Sequence, residues 1–425
     1  MVPSPLCEPW LQTIAQVFAD TPVYAVGGTV RNTLMGLPVS DVDLCGPARP
    51  DAVMELCEGT PVTPRLRAAH FGTVELHVDG HMAEYTTFRQ DSYRTGHQPV
   101  AVRFADTIAV DALRRDFSVN ALYTPLNEPE TIIDPTGGLR HMREKSLHTV
   151  TNDPDQVLRD DGLRILRAVR FQAELGFTLT QAVRLSAEKY VRLLDYIAAE
   201  RKRDELTKLL LADSKYPMLN RTVYPVTQGL ETLVDIGAWS RLFGSLQPID
   251  FTVFNHAEPL HAGMKLALLH HRAAPAELAE RMIALRYAKN DAREAADALA
   301  VLQAAGDMKR EHSDMLRFGI SALHNAKQML HLLAEVDSGY RQADIRAEKL
   351  LSLAAQRQLP AGLKELAIHG EDLLALCREN QLPQVRMGAV LKMLWRDTVN
   401  GRIPNTRHAL LEQAAMHWFD SDTCG

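Results

Sequence analysis

The chain has 425 residues, with 46% hydrophobic and 24% charged content, which is typical of a globular protein of about two to four domains. Its formal net charge of -6 excludes a global basic field, so any nucleic-acid surface must be a local patch. Five scattered cysteines without a CxxC pair argue against a disulfide framework or a zinc site, and the lack of a leader or a long apolar run predicts a cytoplasmic protein without membrane contact.

Residues 1–150 carry the predicted strands, interleaved with helical segments at 6–20 and 51–58. This interleaving predicts one small α+β domain with a mixed sheet. The predicted strands are VYAVGG, VSDVDL, FGTVELHV, HMAEYTTF, VAVRFAD and ETIID.

The stretch from Val23 to Leu44 pairs a Gly-Gly turn with two aspartates one residue apart. Asp41 and Asp43 would share one face of a strand, and neighbouring carboxylates are tolerated where a cation lies between them. Gly27 and Gly28 allow close approach of the backbone, and the helix N-terminus after them suits a phosphate. Either half alone is also typical of an ordinary turn, but together they indicate Mg²⁺ and a nucleoside triphosphate.

The next strand, His81 to Phe88, supplies a further carboxylate. Glu84 is the tentative third metal ligand, although an acidic residue on an exposed strand face is also common. The polar stretch from Arg89 to Pro99 is predicted to be a mobile loop.

The run LRRDFSVNALY, from Leu113 to Tyr123, carries charge into a helical turn. Asp116 is a candidate helix N-cap. In the functional interpretation Arg115 meets the triphosphate, because a guanidinium fork suits phosphate oxygens, and Asn120 contacts a ribose or phosphate oxygen.

The segment Leu158 to Phe171 predicts one amphipathic helix, with Asp161 and Arg164 on one face. Arg167 and Arg170 extend the same ridge. The simplest interpretation of these charged residues is that they form ion pairs on the surface of the helix. A carboxylate beside a guanidinium can also pair with the Watson–Crick edge of cytosine or adenine, since uracil and guanine present an acceptor where the amine should be.

Seven motifs, in order along the chain, resemble the class II tRNA nucleotidyltransferase and poly(A) polymerase family of the polymerase-β-like superfamily. They are GGTVRNTLMG with SDVDL, FGTVELHV, AEYTTFR, RRDFSVNALY, DPTGGL, RDDGLRILRAVRFQAELGF and ERKRDELTKLL. More loosely, LKELAIHGEDLLAL and MGAVLKMLWRDTVNGRIPNTRHALLEQA resemble the C-terminal part of bacterial CCA-adding enzymes.

The resemblance implies a catalytic head at 1–150, and then an all-α remainder made of a neck at 151–215, a body at 216–335 and a tail at 336–425 that binds tRNA. It also implies a role for each matching residue. Asp41 and Asp43 would be the catalytic ligands of two Mg²⁺ ions; Gly27, Gly28 and Arg31 would lie near the phosphates; Arg115 and Asp116 would lie beside the nucleotide; Asp161 and Arg164 would select the base; and Glu200, Arg201 and Glu205 would support the neck.

Three positions depart from the family pattern. Asn32 and His141 stand where aspartate is usual, which removes a charge beside the phosphate turn and is expected to loosen the turn after DPTGGLR. Leu382-Pro383-Gln384 replaces a segment that tends to carry glycine and proline.

The expected reaction is template-independent addition of CCA to a tRNA 3′ end from CTP and ATP, with release of pyrophosphate. Enzymes that add only CC or only A, a poly(A) polymerase of the same family and a catalytically silent RNA-binding protein are the alternatives. The sequence does not distinguish a monomer from a homodimer.

Overall fold

The computed structural model describes residues 5–93, 99–219, 221, 223–255, 260–356, 359–379 and 387–420. The chain forms two compact units, Met1–Ser245 and Leu246–Gly425. Within the described ranges every strand lies in the first unit, and the second unit is helical. The predicted class, a mixed N-terminal sheet followed by a mostly helical region, is confirmed.

The first unit is organised on a six-stranded sheet in the order β3-β4-β5-β2-β1-β8. Neighbours are antiparallel except β2 and β5, which are parallel. Strands β6 and β7 form a separate antiparallel pair, and β9 and β10 form a short parallel one. The strands are β1 (Tyr24–Val26), β2 (Val42–Gly46), β3 (Thr63–Ala68), β4 (Thr73–Val78), β5 (His81–Thr87), β6 (Arg89–Tyr93), β7 (Pro99–Phe104), β8 (Tyr123–Pro125), β9 (Ser146–Leu147) and β10 (Thr178–Leu179).

One face of this sheet is covered by the first helix, whose apolar residues recur at helical spacing. Trp10 and Ile14 of that helix pack in one cluster with Leu44 and Tyr85 of the central strands. The helices of the first unit are α1 (Pro9–Val17), α2 (Gly28–Leu34), α3 (Pro50–Leu56), α4 (Ile108–Leu113), α5 (Gly138–Arg143), α6 (Pro154–Asp160), α7 (Leu163–Leu175), α8 (Gln181–Tyr190), α9 (Ala199–Leu210), α10 (Ala212–Lys215), α11 (Pro225–Asp235) and α12 (Trp239–Phe243).

Helix α7 is buried along nearly its whole length. Its Phe171 meets Phe117 edge to face, with ring centroids 6.0 Å apart, in a second core cluster. The helix ends where Gly176 adopts a left-handed conformation (φ 67°), a common stop for helices. This packing fixes the face of α7 that points toward the Gly-Gly turn.

The second unit is built from helices α13 (Ala262–Leu269), α14 (Pro275–Ala284), α15 (Lys289–Gly306), α16 (His312–Leu316), α17 (Ile320–Val336), α18 (Arg341–Ala355), α19 (Gly370–Glu379), α20 (Met387–Val399) and α21 (Arg407–Asp420). Leu373, Leu394 and Leu410 join the last three helices in one core cluster. A search of the described helices for one long and apolar enough to cross a bilayer finds none.

Several local predictions were wrong. The segment ETIID forms no strand; only Ile133 makes an isolated bridge with Tyr123. The stretch predicted as a mobile loop begins and ends in strands β6 and β7, while 94–98 lie outside the described residues. The predicted helix from Leu158 to Phe171 is broken, since α6 ends at Asp160 and α7 begins at Leu163. The altered tail segment at 382–384 also lies outside the described residues.

Candidate active site

The Gly-Gly turn brings the backbone against two charged side chains. Gly27 has φ 69° and ψ −131°, a conformation that glycine tolerates without strain, and α2 begins at the next residue. A Cβ atom at Gly27 would lie 3.7 Å from both Asp43 Oδ2 and Arg115 Nη1. These are ordinary van der Waals distances, so it is the positive φ of Gly27 that favours glycine here.

The two aspartates are held by a residue that the sequence analysis missed. The hydroxyl of Thr29, in α2, accepts a hydrogen bond from the Asp43 amide at 2.9 Å and donates one to the Asp41 carbonyl at 3.2 Å. Asp41 lies just before β2 and Asp43 lies within it, both exposed, whereas Leu44 is buried in the core. The strand thus presents its carboxylates away from the core, as predicted.

A third carboxylate stands beside them. Glu84 of β5 is the register partner of Asp43 across the parallel pair. The Asp43 side chain is accessible from the cavity, but the protein packed around it makes its ionised form less favourable and raises its pKa to about 6; Arg115 and Arg167 oppose this, and Glu84 and Asp41 add to it. Among the described residues, the ligand atoms of the three carboxylates do not all lie within 4.8 Å of one another.

Helix α4 carries a buried carboxylate that the sequence analysis did not single out. Asp111 is fully buried and accepts hydrogen bonds from Arg114 at 2.7 Å, Arg115 at 3.0 Å and the Tyr123 hydroxyl at 2.8 Å. Although burial raises it, Arg115 and Arg114 hold the pKa of Asp111 at about 2. The i,i+3 and i,i+4 spacing of these residues was the available signal. Asp111 orients both arginines of the RRD motif.

Asp116 joins this motif to α7. Its Oδ1 accepts from the amide of Phe117 at 2.7 Å and from Asn120 Nδ2 at 3.1 Å, while its Oδ2 accepts from Arg167 at 2.6 Å. Burial raises the pKa of Asp116, but Arg167, Asn120 and Arg164 together hold it well below its usual range. The residue is an anchor as well as part of the cavity wall.

Arg31 lies under the turn, only 4% exposed. Its Nε and Nη2 donate to Asn32 Oδ1 at 3.1 and 2.8 Å, and its Nη1 donates to Asn120. The guanidinium carbon lies 5.2 Å from the centre of the Phe171 ring. Burial lowers the pKa of Arg31, partly offset by Tyr216. The side chain is fixed before any ligand arrives.

The predicted base-reading residues lie on either side of the break between α6 and α7. Asp161 accepts from Arg201 at 2.7 Å and from the amide of Leu163 at 3.0 Å. Arg164 donates to the carbonyl of Val157 at 3.0 Å and to that of Arg114. Both side chains therefore already have protein partners at the cavity wall, and Asp161 lies before α7 rather than on one helical face with Arg164.

Arg170 is engaged by two buried carboxylates. Its Nε donates to Glu205 at 2.6 Å and its Nη1 donates to Glu174 at 2.7 Å. Glu205 is 5% exposed, so it is not part of a solvated helix face. With Arg201 bound to Asp161, the ERxxxE element ties α9 to the wall of the cavity.

These groups line one cavity of about 510 Å³ that contains eight arginines and four aspartates. Such an excess of guanidinium groups suits a polyphosphate. It is lined by Gly27, Gly28, Arg31, Asp43, Arg89, Asp91, Arg114, Arg115, Asp116, Asn120, Asp161, Leu163, Arg164, Arg167, Arg170, Phe171 and Arg201. A neighbouring cleft of about 330 Å³ contains Asp41 and shares Gly28, Arg31, Asp43 and Arg170 with the cavity. Of the predicted site residues, only Glu84 lines neither.

His141 does not loosen its turn as expected. Asp134 accepts from the amides of Gly138 and Leu139 at 2.7 and 2.9 Å, which caps α5. His141 Nδ1 lies 2.8 Å from the Ser118 hydroxyl, and its ring stacks on His148 at 3.7 Å. The substitution is accommodated by packing.

Comparison with known families places three models on the chain. Residues 23–148 match the poly A polymerase head domain, 176–221 match the probable RNA and SrmB-binding site of polymerase A, and 262–414 match the putative domain 2 of tRNA nucleotidyltransferase. Together with the glycine turn and the two aspartates, the head match defines a nucleotidyltransferase head of the poly A polymerase type.

Curated relatives include the CCA-adding enzymes of Levilactobacillus brevis, 36% identical over 235 residues (55% of this chain and 54% of the relative), and of Geobacillus thermodenitrificans, 37% identical over 222 residues (51% and 53%). The chain spans about half the length of these relatives. It belongs to the class II CCA-adding enzyme and poly(A) polymerase family of nucleotidyltransferases.

Solved structures share the fold over nearly the whole chain. The Bacillus stearothermophilus CCA-adding enzyme in complex with CTP has a TM-score of 0.73 at 24% identity, covering 98% of this chain and 99% of that one. The Thermotoga maritima CCA-adding enzyme complexed with tRNA_CCA has a TM-score of 0.67 at 19% identity, covering 97% of each chain.

Proposed function

We propose that this protein adds the CCA sequence to the 3′ end of tRNA from CTP and ATP without a nucleic-acid template, releasing pyrophosphate. The observation that carries the proposal is the arginine-rich cavity that meets the glycine turn and Asp43. A tRNA substrate also implies the cytoplasmic location predicted from the sequence.

The carboxylates fit Mg²⁺, which prefers oxygen ligands. Asp41 and Asp43 would hold two ions, and Glu84, opposite Asp43 in the sheet, is the tentative third ligand. When bound, the ions would lower the pKa of the RNA 3′-hydroxyl and neutralise charge on the departing pyrophosphate. Burial is the main reason that the pKa of Asp43 is raised, and repulsion from Glu84 and Asp41 adds to it; this supports the assignment, because a cation would relieve that repulsion.

The chain's own side chains would orient the nucleotide. Arg115 is positioned by the buried Asp111 and Arg31 by Asn120, so both guanidinium groups reach the cavity without needing to be ordered by the ligand. Gly27 and Gly28 leave room for the phosphates beside the backbone. Arg167, fixed by Asp116, adds positive charge on the neck side.

Base selection is assigned to Asp161 and Arg164, which face the same cavity from the neck. Asp161 would accept a hydrogen bond from the exocyclic amine of cytosine or adenine. Arg164 would donate to the adjacent ring nitrogen or carbonyl oxygen. Both are held by other protein groups here, so the nucleotide would exchange partners with Arg201 and the backbone.

The tRNA would extend from this head at 1–150 along the neck, body and tail at 151–215, 216–335 and 336–425. The match of 176–221 to a probable RNA-binding region supports this path. Of the solved relatives, the Bacillus stearothermophilus enzyme is in complex with CTP and the Thermotoga maritima enzyme with tRNA_CCA.

The test uses three tRNA transcripts that end before the first C, after CC and after CCA, each incubated with CTP, ATP or both. A CCA-adding enzyme extends the first by three nucleotides, the second by one A and the third not at all. Stopping after CC, acting only on the CC transcript, or continued addition of A would instead identify a CC-adding enzyme, an A-adding enzyme or a poly(A) polymerase. Asp41→Ala should abolish incorporation, and no incorporation by the parent would leave an RNA-binding protein.

A further inference from the structure

The side-chain amide of Asn32 makes four hydrogen bonds, which uses both acceptor positions of its oxygen and both N–H donors of its nitrogen. Its Oδ1 accepts from Arg31 Nε and Nη2 at 3.1 and 2.8 Å. Its Nδ2 donates to the Pro38 carbonyl and to the Tyr216 hydroxyl, both at 2.9 Å. Asn32 therefore contacts Arg31 beside the Gly-Gly turn, the loop that leads to Asp41, and the residue that follows α10.

Each neighbour fixes the orientation of this amide. The Arg31 guanidinium can only donate, so the oxygen of Asn32 must face it, and the Pro38 carbonyl can only accept, so the nitrogen must face that side. Asn32 and Tyr216 are 7% and 3% exposed, which removes water as a substitute partner. The four contacts form one closed network.

We propose that Asn32 and Tyr216 are positioning residues: through the Asn32 amide, Tyr216, which directly follows α10, holds Arg31 in the place where it meets the nucleotide triphosphate. The inference rests on the proposed function for the role of Arg31. Neither residue lines the arginine-rich cavity, although both line the neighbouring cleft that contains Asp41. They would affect nucleotide binding by holding Arg31 and by holding the loop at Pro38, which leads to Asp41 three residues later.

Aspartate is usual at this position in the family, but a carboxylate here would lose both hydrogen bonds that the Asn32 amide nitrogen donates. Asn32→Asp would keep an acceptor for Arg31 but would set a second acceptor against the Pro38 carbonyl at about the 2.9 Å now spanned by a hydrogen bond. It would also neutralise part of the positive charge that Arg31 offers to phosphate. We therefore expect weaker nucleotide binding from Asn32→Asp, by roughly threefold to tenfold.

The experiment is a titration of CTP into the full chain with Mg²⁺, for the parent, Asn32→Ala, Tyr216→Phe and the double variant. Asn32→Ala should raise the Kd about tenfold and Tyr216→Phe about threefold. If Tyr216 acts through Asn32, adding Tyr216→Phe to Asn32→Ala should change the Kd by less than about 1.5-fold. Incorporation assays should show the same changes mainly in the KM for nucleotide, with kcat less affected.

Tyr190→Phe is the matched control, because it removes a tyrosine hydroxyl in the same unit that donates a hydrogen bond to Asp155 at 3.4 Å and lines neither the cavity nor the cleft. It should leave the Kd unchanged, and melting temperatures should show that all variants fold. Additive effects, or CTP binding by Asn32→Asp as tight as that of the parent, would overturn the relay. If the parent binds CTP and extends tRNA but the variants behave additively, only the proposed link from Tyr216 through Asn32 to Arg31 is refuted. If the parent does not bind CTP, both this proposal and the proposed function are refuted.

Discussion

Both Nε and Nη2 of Arg167 lie 2.6 Å from one oxygen of Asp116. Asp116 follows the RRD arginines and Arg167 lies on α7, so this pair joins the two halves of the cavity wall. Burial of the guanidinium lowers the pKa of Arg167, but Asp116 and Glu205 more than reverse this and raise it. The contact is a charge-assisted hydrogen bond in a site mostly removed from water, which is the strong kind.

Asp116→Ala should destabilise the protein by about 2–3 kcal/mol, because it leaves a largely buried guanidinium short of a partner. Urea unfolding measures this. The exposed pair of Arg184 and Asp235 provides the control, since Asp235→Ala should cost about 0–0.5 kcal/mol.

The folded pKa of Asp116 is depressed, so its contribution is present above the unfolded value near 3.9 and is lost only as pH falls below it. The difference between parent and Asp116→Ala should therefore be the same at pH 7 and pH 5.5. A difference that shrinks between those values would contradict the assignment.

The raised pKa of Asp43 predicts a pH-dependent reaction. Its carboxylate must be ionised to bind a cation, so kcat/KM for nucleotide at Mg²⁺ concentrations well below saturation should rise through a pKa of about 6 as pH increases, and saturating Mg²⁺ should move this midpoint to lower pH. For stability the sign is opposite. A raised folded pKa gives stability that is complete below the unfolded value and is lost as pH rises through 6.

Without metal near pH 7.5, Asp43→Asn should thus melt above the parent, although it should not incorporate nucleotide. Adding Mg²⁺ should raise the melting temperature of the parent and not that of Asp43→Asn. Asp106→Asn, on an exposed segment of the same unit, is the control and should leave both measurements unchanged. An Asp43→Asn protein that is no more stable than the metal-free parent would argue against the repulsion.

The central strands and the Gly-Gly turn were predictable because both signals are local. Alternating burial marks β4 and β5, and glycines mark the turn. Strand β3 was missed because, as an edge strand, it exposes most of its residues and shows little alternation. The break between α6 and α7 was missed although Gly162 marks it, since the charge spacing around it matched a continuous helix.

The site was predictable only where its residues are close in sequence. The spacing of Asp41 and Asp43 in the sequence was enough to identify them. The bond from Arg201 to Asp161 joins residues 40 apart, and that from Arg170 to Glu205 joins residues 35 apart. Such pairs depend on how α9 packs on α7, which residue spacing does not encode. The motif resemblance supplied the ERxxxE element without its contacts.

Gly138, in the DPTGGL motif, is expected to tolerate no side chain. A Cβ atom there would lie 2.3 Å from the carbonyl oxygen of Ser118, which belongs to the turn after Asp116. Gly138→Ala should therefore cost about 1–3 kcal/mol or more in urea unfolding and also lower incorporation. Gly306→Ala, at the end of a helix with open space around it, should be neutral or slightly stabilising. Equal stability of the two variants would refute the close contact.

The assignment of base selection to Asp161 and Arg164 predicts a loss of discrimination rather than of catalysis. Asp161→Ala removes the acceptor for the amine of cytosine and adenine, so the preference for CTP over UTP, and for ATP over GTP, should fall about tenfold or more. Arg164→Ala should act in the same direction. The measurement is the ratio of kcat/KM values for correct and incorrect nucleotides on the transcripts ending before the first C and after CC.

Arg203→Ala is the control for this neck surface. Arg203 lies near Arg201 on α9 but pairs with the exposed Asp204 at 2.8 Å and lines neither cavity nor cleft. Its loss should leave selectivity unchanged. Asp161→Ala and Arg164→Ala proteins that still reject UTP and GTP as the parent does would remove these residues from base selection, and the choice of nucleotide would then have to lie with other groups of the cavity wall.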